Sequence, residues 1–491
     1  MRTEDAQDPA SEVEGELEEF GDPEGSPSLP ATTLGAAIGT GRRPGGYREI
    51  GSLAWPFMLN LALVNLVGLI DIVMVGRLGS DAVAAVGYAG QFFFLVQSVM
   101  LAVGASCVAL VARALGAGDP DGARAALAAA LAVSVSTAFV LVAATLAAPH
   151  ALLELLGAPP QIADASVPYM RLLLGSSLLL AVAVILECGL RADRDTRTPM
   201  WIALAVMLAK VGLNLLLIFG ALGLPRLELV GAGIATAVSQ VVGLALFFAV
   251  VRRAGRASPL ALVRADFAAA RPRLRQVIAI ALPGVGERLA MNLALLAYFR
   301  ILSEYGPLAV ATYTVGIRVL SFSWIPGISF GVAASTLVGH NLGAGHAAAA
   351  TRAGWRAARL ALGVAVVLGS ACALARAPLA GMLTREAALV SELIPFLLCL
   401  AVAQPFLQVH FALGGALRGA GDTFTPFVAA TVSNWALRVP LALLAAQVLA
   451  LDVIWVWYTL VVDHLARAAW MGRAFRRGGW RRALQGGPAR A

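Results

Sequence analysis

A few side chains stand inside apolar runs, where an ionisable group is costly and is a functional candidate by default. Asp71 closes the apolar stretch after Pro56 and lies six residues before Arg77. Lys210, the one lysine among 37 basic residues, sits eleven residues beyond Pro199, and Asn214 follows it one helical turn later. Burial favours a neutral carboxyl, whereas a neighbouring ammonium favours the carboxylate. Asp71 with Lys210 and Asn214 is therefore a candidate for reversible binding of a proton or small cation. Asn60, eleven residues before Asp71 and close to the same helical face, is the fourth member of this group.

A second set lies further on. Glu287 follows Pro283-Gly284-Val285-Gly286, a sequence able to kink a helix and free its carbonyls. Arg288 and Arg318 are its expected ion partners. Gln404 and His410 are read as lining a cleft, and Arg438 with Asp463 and Arg467 as a structural ion-pair group. Arg191 with Asp195, and Arg418 with Asp422, are expected to form ion pairs at a loop or gate. Each of these groups has a plainer reading as helix packing. No catalytic group, metal site or cofactor is expected.

The elements that must carry these residues are membrane helices. Of 491 residues, 59% are hydrophobic and only 13% charged, about half the soluble norm. A membrane helix needs about 20 largely apolar residues. Twelve segments qualify: 53–76, 84–111, 124–148, 167–190, 199–221, 230–251, 276–302, 309–338, 355–376, 391–416, 426–449 and 453–473. Twenty-six Lys/Arg fall at the face that holds both termini and six at the other, so the termini are expected to be cytoplasmic. Trp455, Trp457 and Tyr458 read as an interfacial anchor. The four cysteines lie in apolar segments and read as packing residues. Segment 1–46 is acidic and is expected to be a disordered tail. No basic region followed by an apolar one marks a cleavable signal.

The two halves repeat at an offset of 227. Pro56 pairs with Pro283, Gly79 with Gly306 and Gly104 with Gly331. Leu115-Gly116-Ala117-Gly118 recurs as Leu342-Gly343-Ala344-Gly345. Leu190-Arg191, Asp195-Thr196 and Thr198-Pro199 recur as Leu417-Arg418, Asp422-Thr423 and Thr425-Pro426. The offset spans six helices, an even number, so the repeat is parallel, about an axis along the membrane normal. The expected fold is all-α and polytopic, with two six-helix bundles, 47–251 and 276–473, and a cleft between them. A basic linker, 252–275, joins them, and 474–491 is a basic tail. The Leu-Gly-Ala-Gly runs read as glycine helix stops, and Thr198-Pro199 and Thr425-Pro426 as an N-cap with Pro at the first helical position.

Val64-Asn65-Leu66-Val67-Gly68-Leu69-Ile70-Asp71 with Val75-Gly76-Arg77-Leu78-Gly79, and Leu417-Arg418-Gly419-Ala420-Gly421-Asp422-Thr423-Phe424-Thr425-Pro426, resemble the multidrug and toxic compound extrusion (MATE) family. Pro283 to Glu287, Pro326-Gly327 and Leu342 to Gly345 resemble its second half. The loop Arg191 to Pro199 is a weaker copy, with Asp193 and Arg194 where glycines are usual. The resemblance covers 48–475. It implies cation-driven efflux of organic, often cationic, compounds through two six-helix lobes. The expected protein is a monomer of the inner membrane in contact with the lipid bilayer, and the absence of a basic stripe with interleaved aromatics speaks against nucleic acid as a partner. Some relatives carry an acid one turn after the helix 5 Asn. Here that position is Ile218, which removes a second carboxylate for Na⁺ and favours H⁺. The alternative is a lipid-linked precursor flippase of the same superfamily. No His-Glu-x-x-His, Gly-x-Ser-x-Gly or nucleotide-binding Gly-x-x-x-x-Gly-Lys-Ser/Thr sequence is present, so neither an enzyme nor a nucleotide-driven pump is expected.

Overall fold

A computed structural model describes residues 45–223, 225–255 and 261–482. Among the described residues there is no strand. Twelve long helices follow one another: α1 Tyr47–Gly76, α2 Ser80–Gly116, α3 Pro120–Ala147, α4 Pro160–Ala192, α5 Arg197–Phe219, α6 Glu228–Ala254, α7 Arg271–Leu302, α8 Pro307–Gly343, α9 Ala347–Leu374, α10 Ala387–Gly419, α11 Phe424–Val448 and α12 Val453–Arg477. Eleven of them, α1 to α11, are long and apolar enough to cross a membrane. The twelfth expected span is a helix of sufficient length. Asp463, His464 and Arg467 lower its hydropathy, and all three are turned inward and buried. The expectations for the two tails fall largely on 1–44 and 483–491, outside the described residues. In the linker, α6 runs on to Ala254, a short helix covers Arg264–Ala269, and α7 starts at Arg271, earlier than the apolar run alone suggests.

The repeat is visible in the backbone. Gly79 and Gly306, with φ of 116° and 92°, precede α2 and α8. α2 and α8 both end in a Schellman stop, in which a left-handed residue lets two backbone N–H groups reach back to the last helical carbonyls. Gly118 N donates to the Leu115 carbonyl and Asp119 N to Ala114, as Gly345 N does to Leu342 and His346 N to Asn341. The same motif ends α4 and α10, with Asp195 N bound to Leu190 and Asp422 N to Leu417. Here the copies differ at the left-handed position itself. Gly421 takes the left-handed position with φ 89°, and Arg194 takes it in the first copy with φ 64°.

The start of the following helix corrects two expectations. Asp195 accepts from the backbone of Arg197 at 3.0 Å and Thr198 at 2.9 Å. Asp422 accepts from Thr425 N at 2.9 Å and Thr425 Oγ1 at 2.7 Å. These aspartates, not Thr198 and Thr425, satisfy the orphan amides of α5 and α11. Their carboxylates are thus committed locally, and neither pairs with Arg191 or Arg418.

Packing obeys the same symmetry. Within the first copy α2 packs on α3 and α4, α4 on α6, α5 on α6, and α1 on α5. Within the second, α8 packs on α9 and α10, α10 on α12, α11 on α12, and α7 on α11. Between copies α2 meets α8, while α1 lies on α8 and α7 on α2. The closest approach is at the ends of α2 and α8, at the face where α1 starts and α12 ends. A Cβ on Gly116 would overlap the His340 carbonyl, and one on Gly343 would overlap that of Arg113, the residue 227 before His340. The Leu-Gly-Ala-Gly glycines therefore do more than stop helices, because they let two backbones touch.

Trp457 is not an interfacial anchor. It is fully buried, with its ring 5.0 Å from that of Phe396. Its neighbour Trp455 is exposed, as an anchor would be. The four cysteines are free thiols, and Cys107, Cys188 and Cys399 are buried.

Candidate functional site

α1 and α5 bring together three of the four residues of the first group. Lys210 Nζ pairs with Asp71 Oδ2, and Asn214 Nδ2 donates to Asp71 Oδ1 at 2.7 Å. Asn214 is fully buried, whereas the Asp71 side chain keeps about a quarter of its surface. Asn214 Oδ1 has no partner, and Met74 Sδ lies 3.8 Å from Asn214 Nδ2. Ile218, one turn further along, is fully buried among apolar side chains. The site thus presents one carboxylate to two nitrogen donors, and among the described residues no second acid joins them.

Asn60 belongs elsewhere. Its Nδ2 donates to Glu187 Oε1 at 2.6 Å, and Glu187 is ion-paired with Arg191. Eleven residues along a helix is a rise of about 16 Å, too far for Asn60 to share Asp71. Arg191 lies 4.3 Å over the Phe57 ring of α1. The end of α4 is tied to α8, since Thr336 Oγ1 donates to the Arg191 carbonyl at 3.1 Å and His340 Nε2 meets the Ala192 carbonyl at 2.6 Å. Glu187 escaped the sequence reading, although an acid one turn before a repeated Arg was the available signal.

In the second copy Arg418 Nη2 contacts both oxygens of Glu287 at 2.8 Å. Arg418 replaces the expected partners. Arg318 is exposed and, among the described residues, makes no ion pair. Glu287 stands 227 residues after Asn60, and Arg418 the same distance after Arg191. The position equivalent to Glu187 is Gly414. Each copy therefore pairs the arginine at this repeated position with a carboxylate, on α4 in one and on α7 in the other.

The remaining candidates lie between α8, α10, α11 and α12. Gln404 Nε2 donates to Ser323 Oγ at 2.8 Å, and Gln408 Nε2 to the Ser323 carbonyl. His410 is buried, its Nδ1 3.2 Å from the Phe406 carbonyl, and its ring is stacked on His464 at 5.2 Å. Asp463 is held by Arg467 through two contacts of 2.9 and 2.8 Å and by Ser433 Oγ at 2.5 Å. Arg438 does not join that pair. It donates to Tyr313 Oη at 2.9 Å and lies 4.3 Å over the Tyr298 ring. Ser433 and Arg438 bound a π-helical turn that interrupts α11, a distortion frequent at functional sites. His464, Tyr298 and Tyr313 were not singled out by sequence, because an aromatic in an apolar run gives no signal of its own.

Helices long and apolar enough to cross a bilayer, with charged groups turned inward, define a multi-pass membrane protein with a polar interior. Comparison with known proteins makes the assignment specific. The MatE family profile matches residues 56–216 and again 283–444, one match in each copy of the repeat. The chain is 30% identical over 440 residues to a probable multidrug resistance protein NorM of Bradyrhizobium diazoefficiens, covering 86% of this chain and 92% of that one. It is 26% identical over 437 residues to a protein of the same description in Thermotoga maritima, covering 88% and 93%. Among solved structures, the bent form of the Vibrio cholerae MATE transporter VcmN superposes with a TM-score of 0.79 at 19% identity, covering 89% of this chain and 98% of that one. A MOP superfamily transporter from Pyrococcus furiosus gives 0.82 at 21%, covering 91% and 98%. The chain belongs to the MatE family of multidrug efflux transporters.

Proposed function

We propose that this protein exports organic, often cationic, compounds in exchange for protons by alternating access, with Asp71 carrying the proton. The observation behind this reading is the Asp71 carboxylate held between Lys210 Nζ and Asn214 Nδ2. A proton on Asp71 competes directly with Lys210. A sodium ion wants several oxygen ligands, and here it would have to displace two nitrogen donors next to a buried isoleucine.

Loading is transmitted along α1. Releasing Asp71 from Lys210 loosens α1 on α5, and α1 also carries Asn60, which binds Glu187 of α4, the helix whose Arg191 carbonyl accepts from Thr336 of α8. A shift of α1 therefore reaches the contact between the two copies. In the second copy a cationic substrate competes with Arg418 for Glu287. The contact of α2 with α8 closes the face that bears the termini, which we assign to the cytoplasm from its basic residues.

The test is purified protein in liposomes with a fluorescent organic cation, imposing pH and Na⁺ gradients separately. A pH gradient should drive transport, and Asp71→Asn should abolish that drive while substrate binding stays measurable. Sodium-driven transport without a pH response, or a fully active Asp71→Asn, would sink the reading. Cysteines placed at 225–227 should label from outside intact cells, and those at 261–263 should not.

A further inference from the structure

We propose that His410 and His464 form a second transported-proton site, in the second copy and separate from Asp71. Both rings are buried, stacked 5.2 Å apart and 13° from parallel. His410 has one nitrogen occupied by the Phe406 carbonyl. Neither nitrogen of His464 has a hydrogen-bond partner. A histidine kept for packing normally satisfies at least one nitrogen, since an unpaired buried polar group costs about 1–3 kcal/mol. A neutral imidazole always keeps one basic lone pair, so His464 holds an unused proton acceptor inside the membrane region. Parallel rings do not converge their lone pairs on one point, and among the described residues no third ligand stands by, so a metal ion does not fit. A proton needs a single lone pair and does fit.

The surroundings tie the proton to helix packing. On α12 itself Asp463 and Arg467 are locked to each other. From α11, Arg438 is committed to Tyr313 and the Tyr298 ring. From α10 and α7, Arg418 is committed to Glu287, with Arg288 beside it. On the other elements against α10 the charged groups are engaged elsewhere or turned out: His340 on the Ala192 carbonyl, Arg356 on Gly45, Arg359 on Tyr47, with Arg318 and Arg352 exposed and Arg113 on α2 half-buried. The carboxylates nearby are thus already paired, and a proton on His464 adds an uncompensated positive charge between Arg467 and Arg438. That repulsion is relieved by moving α12 relative to α11, whose π-helical turn leaves it deformable. Protonation and helix displacement are one event, which is what a coupling site requires.

The role in transport rests on the proton-antiport reading, whereas proton binding does not. The full chain carries five histidines, so ¹⁵N-histidine labelling in lipid nanodiscs gives few signals, assigned with His464→Gln and His410→Gln. Between about pH 9 and pH 4, the His464 nitrogens should pass from the neutral to the imidazolium pattern, and His410→Gln should move that transition. In liposomes, His464→Gln should roughly halve the protons moved per substrate while Asp71 still confers pH-driven transport. A His464 that stays neutral throughout, or an unchanged proton-to-substrate ratio in both histidine variants, overturns the proposal and leaves the Asp71 reading intact. Loss of pH drive in His464→Gln with its retention in Asp71→Asn would do the reverse. If His464→Gln misfolds, His410→Gln carries the same test.

Discussion

The two copies keep the same punctuation and use it for different chemistry. Left-handed residues, helix stops and aspartate caps recur at one offset, because backbone geometry leaves few ways to end one membrane helix and begin the next. Side chains at equivalent depth do not recur. Where the first copy has Asp71, Lys210 and Asn214, the second has Tyr298, Leu437 and Leu441. Tyr298 donates to the Val456 carbonyl at 2.8 Å and takes the Arg438 cation on its ring. α5 is a continuous α-helix, while α11 is broken by two π-helical turns. The repeat thus keeps the helix stops and caps and lets the buried polar groups differ, with Asp71, Lys210 and Asn214 in one lobe and arginine, tyrosine and histidine around α11 and α12 in the other.

The broadest effect, on both lobes at once, should come from breaking what the copies share. Gly343→Val and Gly116→Val each force a side chain into the facing backbone. Overpacking of this kind costs about 1–3 kcal/mol, paid only in the state where α2 touches α8. Transport should fall on the order of tenfold at normal expression, and cysteines near the ends of α2 and α8 should label faster. Unchanged transport in both variants would show that the glycine contact is not a working gate.

Next come the acids. Glu287→Gln leaves the half-buried Arg418 without its partner, a loss that costs about 3–5 kcal/mol for a fully buried pair and less here, where the Arg418 side chain keeps 24% of its surface. Glu187→Gln should do the same to Arg191 and also loosen Asn60. The relation between copies supplies a sharper test. Gly414→Glu puts an acid where the first copy has Glu187, and a Cβ there lies 3.3 Å from an Arg418 nitrogen. The same Cβ comes within 3.2 Å of Met471 Sδ, so the side chain of Met471 must give way. Thermal stability lost in Glu287→Gln should be partly recovered in the double variant. No recovery would mean that the position of the acid matters as well as the pairing.

The fold was largely legible in sequence because it is written in residues with one physical use. Pro, Gly and runs of about 20 apolar residues announce helices and their ends, and the offset of 227 announces the symmetry. The Asp71, Lys210 and Asn214 cluster was legible for a related reason, since charges at matching depth in lipid must meet something. Partners chosen by nearness in sequence failed. Arg191 turns to Glu187, and Arg418 to Glu287, 131 residues away, because Asp195 and Asp422 were already taken by backbone amides. Asn60 was misassigned on helical face alone, which says nothing of depth. Trp457 looked like an anchor only because its neighbours are aromatic.

A smaller effect should separate the two loops. Arg194 occupies a left-handed position that the second copy gives to Gly421. A non-glycine residue there costs roughly 1–2 kcal/mol. Arg194 also pairs with Glu49 at 3.2 Å, but the pair is partly exposed and such pairs contribute about 0–1 kcal/mol. Arg194→Gly should therefore be neutral to slightly stabilising by thermal unfolding, and Gly421→Arg destabilising. Equal losses in both would mean the Glu49 contact outweighs the strain.

The smallest expected effect lies one residue earlier. Asp193 caps the end of α4, where the second copy has Ala420. Burial first, and then the neighbouring Asp195, push its carboxyl up from 3.8 to about 6, against a weaker pull from Arg194. A carboxyl raised in the folded state is a penalty at neutral pH, because the folded protein must hold a charge that the unfolded chain holds freely. The group's contribution to stability is fully present below 3.8 and lost as pH rises through about 6. Lowering pH from about 7 to about 5 should then raise the unfolding midpoint by on the order of 1–2 °C through this group. Asp193→Asn should be the more stable protein at pH 7 and should lack that increment, while Ala420→Asp should introduce a similar dependence into the second copy. If the wild type and Asp193→Asn respond identically to pH, burial at the end of α4 is not what distinguishes the first loop from the second.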